Sequence, residues 1–229
     1  MKISIIIPTY NEERYILQTL QKVNDQRSKF DLEIVISDDA STDQTISLLN
    51  NNQNLYDKLI NNKENQGKGS ALRNGFANCS GDIIIIQDAD LEYNPEEFSD
   101  LIEPFLKSDA DVVYGSRFLG NKTKRILYFK NRVANFFLTL LVNIFTNLNF
   151  TDVETGYKAF KKEILKEIQL KENSFAFEIE FTMKVARLKK KIFEVGVSYS
   201  GRTIEEGKKI RLRDGILAIY CIFKYKLFN

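Results

Sequence analysis

Four consecutive isoleucines, Ile83 to Ile86, stand directly before Gln87-Asp88-Ala89-Asp90. On a strand, successive side chains point to opposite faces, so this run places branched apolar bulk on both faces at once. Such a strand is stable only where both faces are covered, as inside a parallel sheet layered by helices. The rest of the first half follows the same plan. Short apolar runs predict strands over residues 3–7, 33–37, 56–61, 82–87 and 111–114. Between them, the spacing predicts helices over 12–25, 42–52, 68–78 and 95–107, with Ser41 and Asn94 as N-caps and Pro95 in a first turn. This β-α-β-α order implies an α/β fold with a mostly parallel, Rossmann-like sheet.

The second half changes character. A long amphipathic helix is predicted over 125–147, then a polar segment leading into a strand by 160. A helix over 176–188, a strand over 192–197, a charged loop over 201–209 and a final helix over 212–225 follow. No repeat or proline-rich linker interrupts the chain, and 229 residues suit one domain. The expectation is a single domain over 1–229 whose character changes after residue 118.

Composition excludes several chemistries. There is no histidine, which removes a Ser-His-Asp triad, a histidine base and histidine-ligated zinc. Acid–base work and metal binding then fall to carboxylates, and the fitting ions are hard cations, Mg²⁺ or Mn²⁺. A net charge of +2 does not suit a bulk nucleic-acid binder. Cys79 and Cys221 lack metal-site spacing and read as reduced thiols of a cytoplasmic protein. The N-terminal residues lack a signal-peptide pattern, and the apolar stretch over 133–150 is broken by asparagines and threonines, so no membrane span is expected.

In open α/β sheets, ligands bind at the carboxyl ends of the strands. Four successive strand ends carry polar groups: Pro8 to Glu12, Asp38 to Asp43, Gln87 to Glu92, and Gly115 to Phe118. Asp88 and Asp90, one residue apart after a buried strand, could share a divalent ion that offsets phosphate charge. The plainer alternative is an acidic turn capping the next helix. Asp38 and Asp39 sit where a carboxylate could hydrogen-bond a base or ribose, or cap a helix. Gly67-Lys68-Gly69 lacks P-loop spacing and reads as the opening of a helix.

Pro8-Thr9-Tyr10-Asn11-Glu12, Asp38-Asp39-Ala40-Ser41-Thr42-Asp43, Asn65-Gln66-Gly67-Lys68-Gly69, Asp88-Ala89-Asp90 and Gly115-Ser116-Arg117-Phe118 occur together and in order. Their combination resembles the family 2 glycosyltransferases of GT-A fold. Arg132-Val133-Ala134-Asn135, Asp152 to Lys158 and the basic loop with Arg202 resemble the dolichol-phosphate mannosyltransferase-like branch. That resemblance implies transfer of a hexose from GDP-mannose or UDP-glucose to a polyprenyl phosphate. It implies that Pro8, Tyr10, Glu12 and Asp39 hold the nucleoside, and that Asp88 and the Ala89 backbone contact the donor. Asp90 would hold the metal, with Asp88 and Glu92 as further ligands. Arg117 and Arg132 would bind the acceptor phosphate. Arg202 and a lysine would close over the diphosphate. The family's Gly-x-Ser-Lys pattern is replaced here by Glu206-Gly207-Lys208-Lys209, which leaves Lys208 and Lys209 both open for that role.

A phosphate acceptor is already an anion and needs positive charge more than a base, whereas a sugar hydroxyl acceptor needs a base. Asp152 is the candidate base in that second case, and its alternative task is to orient Lys158 or an arginine. A non-catalytic nucleotide-sugar-binding protein is a third reading. Apolar residues at helical spacing over 136–148 and 216–223, flanked by lysines and arginines, suit a membrane-surface helix on the cytoplasmic face. Their alternative destinations are the protein core or a homodimer interface.

Overall fold

The computed structural model describes residues 1–203, 205–207 and 212–227. Seven strands form one sheet: β1 (Ile3–Thr9), β2 (Leu32–Asp38), β3 (Lys58–Asn61), β4 (Ile83–Ile86), β5 (Val112–Ser116), β6 (Lys158–Lys161) and β7 (Ile192–Gly196). Their spatial order is β3-β2-β1-β4-β6-β5-β7. β6 runs antiparallel to both its neighbours, and every other pairing is parallel.

The isoleucine run divides as its alternation demands. Ile84 and Ile86 join the core on one face, with Phe76, Val142, Phe177 and Ile222. Ile83 and Ile85 join the core on the other, with Ile16, Leu20, Phe98 and Leu101. Full burial of such side chains contributes on the order of 1.5–3 kcal/mol each. One face is covered by α3 (Lys68–Asn78), α5 (Phe129–Thr146), α7 (Phe177–Arg187) and α8 (Leu212–Leu227), and the other by α1 (Ile16–Asp25), α2 (Thr45–Asn50) and α4 (Phe98–Lys107). A single turn, α6 (Ile164–Glu167), completes the helices. Cys79 and Cys221 are free thiols, both buried.

Several helices begin later than periodicity predicts, and polar contacts explain why. α1 starts at Ile16 rather than residue 12, because residues 12–15 form a turn in which the Glu12 carbonyl accepts from Tyr15 and Ile16. α2 starts at Thr45, whose amide donates to Asp43. Ser41 does not cap it, since the Ser41 hydroxyl donates to Asp38 at 2.5 Å. Asn94 does cap, accepting from the Glu96 amide, although the first turn over Pro95–Glu97 is a 3₁₀ helix. α5 begins at Phe129 and stops at Asn147, which takes a left-handed conformation with φ of 57°.

Candidate active site at the carboxyl edge of the sheet

β1, β2, β4 and β5 all end on the same edge. Because β6 is antiparallel, its entering segment, residues 152–157, lies on that edge too. The sequence-predicted residues therefore gather there, in three groups.

The first group surrounds Arg202. Its guanidinium lies 2.5 Å from Asp90, 3.1 Å from Glu12 and 3.5 Å from Glu92. Its backbone amide also donates to Glu92 at 2.8 Å, and the Tyr199 hydroxyl donates to the other Glu92 oxygen at 2.7 Å. Burial pushes the Asp90 carboxyl up to about 8, repulsion from Glu92 and Asp88 adds to this, and Arg202 offsets only part of it. Asp88 belongs to a neighbouring pair, 2.7 Å from the Lys68 ammonium.

The second group centres on Arg117 and Asp152. Arg117 grips Asp152 as a fork, through Nε and Nη2, both at 2.7 Å. The Arg117 amide and Asn135 each add a bond to Asp152 at 3.0 Å. Burial alone would raise the Asp152 carboxyl, but Arg117 and these hydrogen bonds hold it below the usual range. Arg132 is exposed, with its guanidinium 3.6 Å from the centre of the Phe118 ring. A groove of about 320 Å³ runs from there, lined by Phe118, Arg132, Asn135, Phe136, Thr139 and Leu140.

Asp39 forms the third group. Its carboxylate accepts from Asn62 at 2.7 Å, from the Gln66 amide at 3.1 Å and from the Gly67 amide at 2.6 Å. It thus braces the loop that starts α3. Gly67 holds a φ of 104°, which a side chain would strain. Pro8, within β1, and Tyr10, just after it, are half-buried, and Ala89 is buried with its carbonyl accepting from Thr19. Lys208, expected at the diphosphate, lies with Lys209 outside the described residues.

Residues 4–169 match glycosyl transferase family 2. The chain belongs to that family. This family 2 chain is 29% identical over 213 residues to the dolichol-phosphate mannosyltransferase of Pyrococcus furiosus, across 91% of this chain and 59% of that one. It therefore spans only part of the Pyrococcus enzyme's length. It is also 29% identical over 216 residues to the undecaprenyl-phosphate mannosyltransferase of Micrococcus luteus, across 91% of this chain and 87% of that one. Among solved structures, glucosyl-3-phosphoglycerate synthase from Mycobacterium tuberculosis, with phosphoglyceric acid, gives a TM-score of 0.77 at 18% identity, covering 98% of this chain and 79% of that one. A second structure of that synthase, with Mn²⁺, UDP and phosphoglyceric acid, gives 0.75 at 20% identity, covering 100% of this chain and 79% of that one. The fold is the GT-A fold that the resemblance implied.

Does the family 2 site suit a divalent ion? Among the described residues, no three acidic or cysteine side chains converge as a metal cluster. Both Glu92 oxygens are engaged by Tyr199 and Arg202. Asp88 and Asp90 are the remaining hard oxygen donors; Lys68 meets one Asp88 oxygen, and Arg202 and the Glu92 amide meet the two of Asp90, so an ion there would share Asp90 with Arg202 or displace it. Mg²⁺ commonly takes one or two carboxylates and completes its shell with water and phosphate oxygens. The residues present fit an ion shared with a diphosphate rather than an all-protein cage.

Sequence reasoning missed four partners in this family 2 site. They are Asn135 beside Asp152, Lys68 beside Asp88, Glu178 beside Lys68 and Tyr199 beside Glu92. Each meets its partner across a long sequence separation, 107 residues for Tyr199 and Glu92. Local spacing carries no signal for such a pair.

Proposed function

We propose that this chain transfers a hexose, mannose or glucose, from a nucleotide-diphosphate sugar (GDP-mannose or UDP-glucose) to a polyprenyl phosphate, with inversion. The observation that carries this reading is the acceptor end. Arg117 is fixed by Asp152 through two nitrogens, and its Nη1 has no hydrogen bond among the described residues. Arg132 stands exposed beside it, at the mouth of a groove that continues onto the apolar side chains Phe136 and Leu140. Two cations followed by an apolar groove suit a phosphate borne on a hydrocarbon chain.

The chemistry follows from charge. The acceptor phosphate oxygen attacks the anomeric carbon as the bond to the diphosphate breaks. No base is needed, because the attacking oxygen is already anionic. Arg117 and Arg132 hold and aim it. Asp152 supports this reading by what it lacks: both its oxygens accept hydrogen bonds, and it is held ionised, two properties that suit orienting Arg117 better than taking a proton. On the donor side, Asp39 shapes the nucleoside loop, Pro8, Tyr10 and Glu12 line the nucleoside, and Arg202 faces the diphosphate. Asp88 and Asp90 would hold Mg²⁺ or Mn²⁺, which supplies charge neutralisation of the leaving diphosphate. Residues 1–118 then form the donor half and 119–229 the acceptor half of one domain.

The same reading places the chain at the cytoplasmic membrane surface. Phe129, Phe136, Phe137 and Ile144 on α5 are exposed, as are Ile216, Tyr220 and Phe223 on α8. The two helices meet through the Phe145 and Phe223 rings, 5.2 Å apart. No helix among the described residues is long and apolar enough to cross a bilayer, so this face would lie on the surface.

The test uses donor sugars labelled in the hexose, with Mg²⁺ or Mn²⁺, with and without polyprenyl phosphate. Label that moves into the organic phase in a mild-acid-labile linkage is the expected result. Transfer only to sugar hydroxyls, with nothing on the lipid phosphate, overturns the reading.

A further inference from the structure

A row of buried charges runs behind Asp88. Lys68, the first residue of α3, places its ammonium 2.7 Å from Asp88 Oδ1 and 3.2 Å from Glu178 Oε1. Glu178, in the first turn of α7, gives its other oxygen to Lys158. Lys158 opens β6, is fully buried, and also donates to the carbonyls of Val153 and Thr155. The sign alternates along the row: Asp88, Lys68, Glu178, Lys158.

Taking ions out of water is costly, and a buried ion pair is weak evidence for stability. Its geometric effect here is plain. Asp88 follows a strand end and would otherwise be free to turn. Lys68 meets one of its oxygens, and Gly156 leaves room for the other: a Cβ at position 156 would overlap Asp88 Oδ2 and crowd the Lys68 ammonium. Lys68 is itself fixed, because Glu178 takes its second contact while Lys158 holds Glu178 from behind. The side chain of Lys68 is 12% exposed, so it meets its two carboxylates largely away from water.

A bare carboxylate beside a diphosphate repels it. With an ammonium at 2.7 Å, Asp88 keeps its oxygens in place while its charge is offset. We infer that Lys68 is a positioning residue for the donor site, acting through Asp88, and that Glu178 acts in turn through Lys68. The inference rests on the nucleotide-sugar reading above and assigns work to residues that reading does not use. It also gives Gly156 a defined task, to leave room for Asp88 in that pose.

The experiment is calorimetric binding of GDP and of UDP, each with Mg²⁺, to the wild type and to Lys68→Met, Glu178→Gln, their double variant and Gly156→Ala. Residues that orient a metal or anion ligand typically change affinity by about 10–100-fold, and Lys68→Met is expected in that range. Glu178→Gln is expected to weaken binding by roughly five- to tenfold, and the double variant to match Lys68→Met, because residues acting through one another are not additive. Gly156→Ala, whose Cβ would crowd both Asp88 Oδ2 and the Lys68 ammonium, is expected to weaken binding with every charge of the row still present. In turnover assays, donor KM rises in all four variants while acceptor KM stays within about twofold.

Affinity and donor KM within twofold of wild type in Lys68→Met, with only the melting temperature lowered, overturns the inference. If Lys68→Met does not fold, Glu178→Gln and Gly156→Ala decide on the same readout. Additive losses in the double variant overturn the order of action. If the wild type binds neither nucleotide, the nucleotide-sugar reading fails and this inference with it. If the wild type binds and the variants bind equally well, only the inference fails.

Discussion

Arg202 reaches Asp90 at 2.5 Å from a loop 112 residues further along the chain. The same guanidinium touches Glu12 and Glu92, so one cation holds together three carboxylates from two strand ends. Glu12 and Glu92 are 7% and 13% exposed, so removal of the cation leaves both carboxylates nearly buried without it. Breaking a buried pair by deleting one partner costs about 3–5 kcal/mol, and this slight exposure argues for the lower end. Arg202→Met is therefore expected to lose about 3 kcal/mol in chemical denaturation. Mg²⁺ should restore part of that loss and should stabilise the variant more than it stabilises the wild type. A variant that melts like the wild type, with or without Mg²⁺, contradicts this account.

Asp152 and Arg117 make a second prediction. Asp152→Asn keeps the shape of the fork's receptor and removes its charge. An essential base lost in this way lowers turnover by about 10²–10⁴-fold. With Asp152 as an orienting group, activity should fall by no more than roughly tenfold, and the acidic limb of the pH profile should stay where it is. Arg117→Lys should do more harm, since a lysine cannot reproduce the fork. Steady-state kinetics across pH, with lipid-phosphate acceptor, separates the two roles.

Glu33 provides a pH test away from the site. Burial works to raise its carboxyl, but bonds from Ser4, the Ser80 amide, Lys58 and the Ser80 hydroxyl outweigh this and bring it down to about 2. A lowered carboxylate contributes stability that is present above its unfolded value near 4.5 and disappears as pH falls towards 2. That contribution is on the order of 2–3 kcal/mol near neutrality, once the half-exposed Lys58 is discounted. Urea unfolding of Glu33→Gln should show a deficit of this size at pH 7. The deficit should shrink between about pH 4.5 and 2. A constant gap across that window would mean that packing, not charge, is lost.

Neighbouring positions on α5 should behave in opposite ways. Phe136 and Phe137 are 60% and 57% exposed, whereas Leu138 is 7% exposed. Phe136→Ser with Phe137→Ser should leave stability within about 0.5 kcal/mol per substitution. It should also weaken co-sedimentation with anionic vesicles by tenfold or more, since each buried aromatic contributes about 1.5–3 kcal/mol. Leu138→Ala should cost about 2–5 kcal/mol and leave vesicle binding intact in the folded protein. Unchanged sedimentation of the double serine variant would remove the case for a membrane-facing α5.

Much of the first half was legible because its signals are local. The isoleucine run announced a doubly covered strand, and each strand end carried its polar residues within a few positions. Asn94 was recognisable as a cap from its place before Pro95. The helix starts differ where local hydrogen bonds form a turn first, as at Glu12, whose carbonyl accepts from Tyr15 and Ile16, and at Ser41, whose hydroxyl donates to Asp38. Strand β6 was predicted as a strand, but its antiparallel place between β4 and β5 was not readable. That placement depends on pairings such as Ile84 with Phe160, which join distant parts of the chain. The Asp88, Lys68 and Glu178 contacts were hidden for the same reason.

The antiparallel place of β6 has a mechanical consequence. Residue 117 leaves β5 and residue 158 enters its immediate neighbour, so α5 rides on an excursion anchored twice at one point of the sheet. Arg117 stands at the outgoing root and Asp152 near the returning one, and their fork fastens the neck. α5 is thus held at two levels, by Leu138 and Val142 in the core beneath it and by that fork at its root. The fork thereby closes an excursion of 35 residues into a loop whose two roots cannot part without breaking both of its bonds.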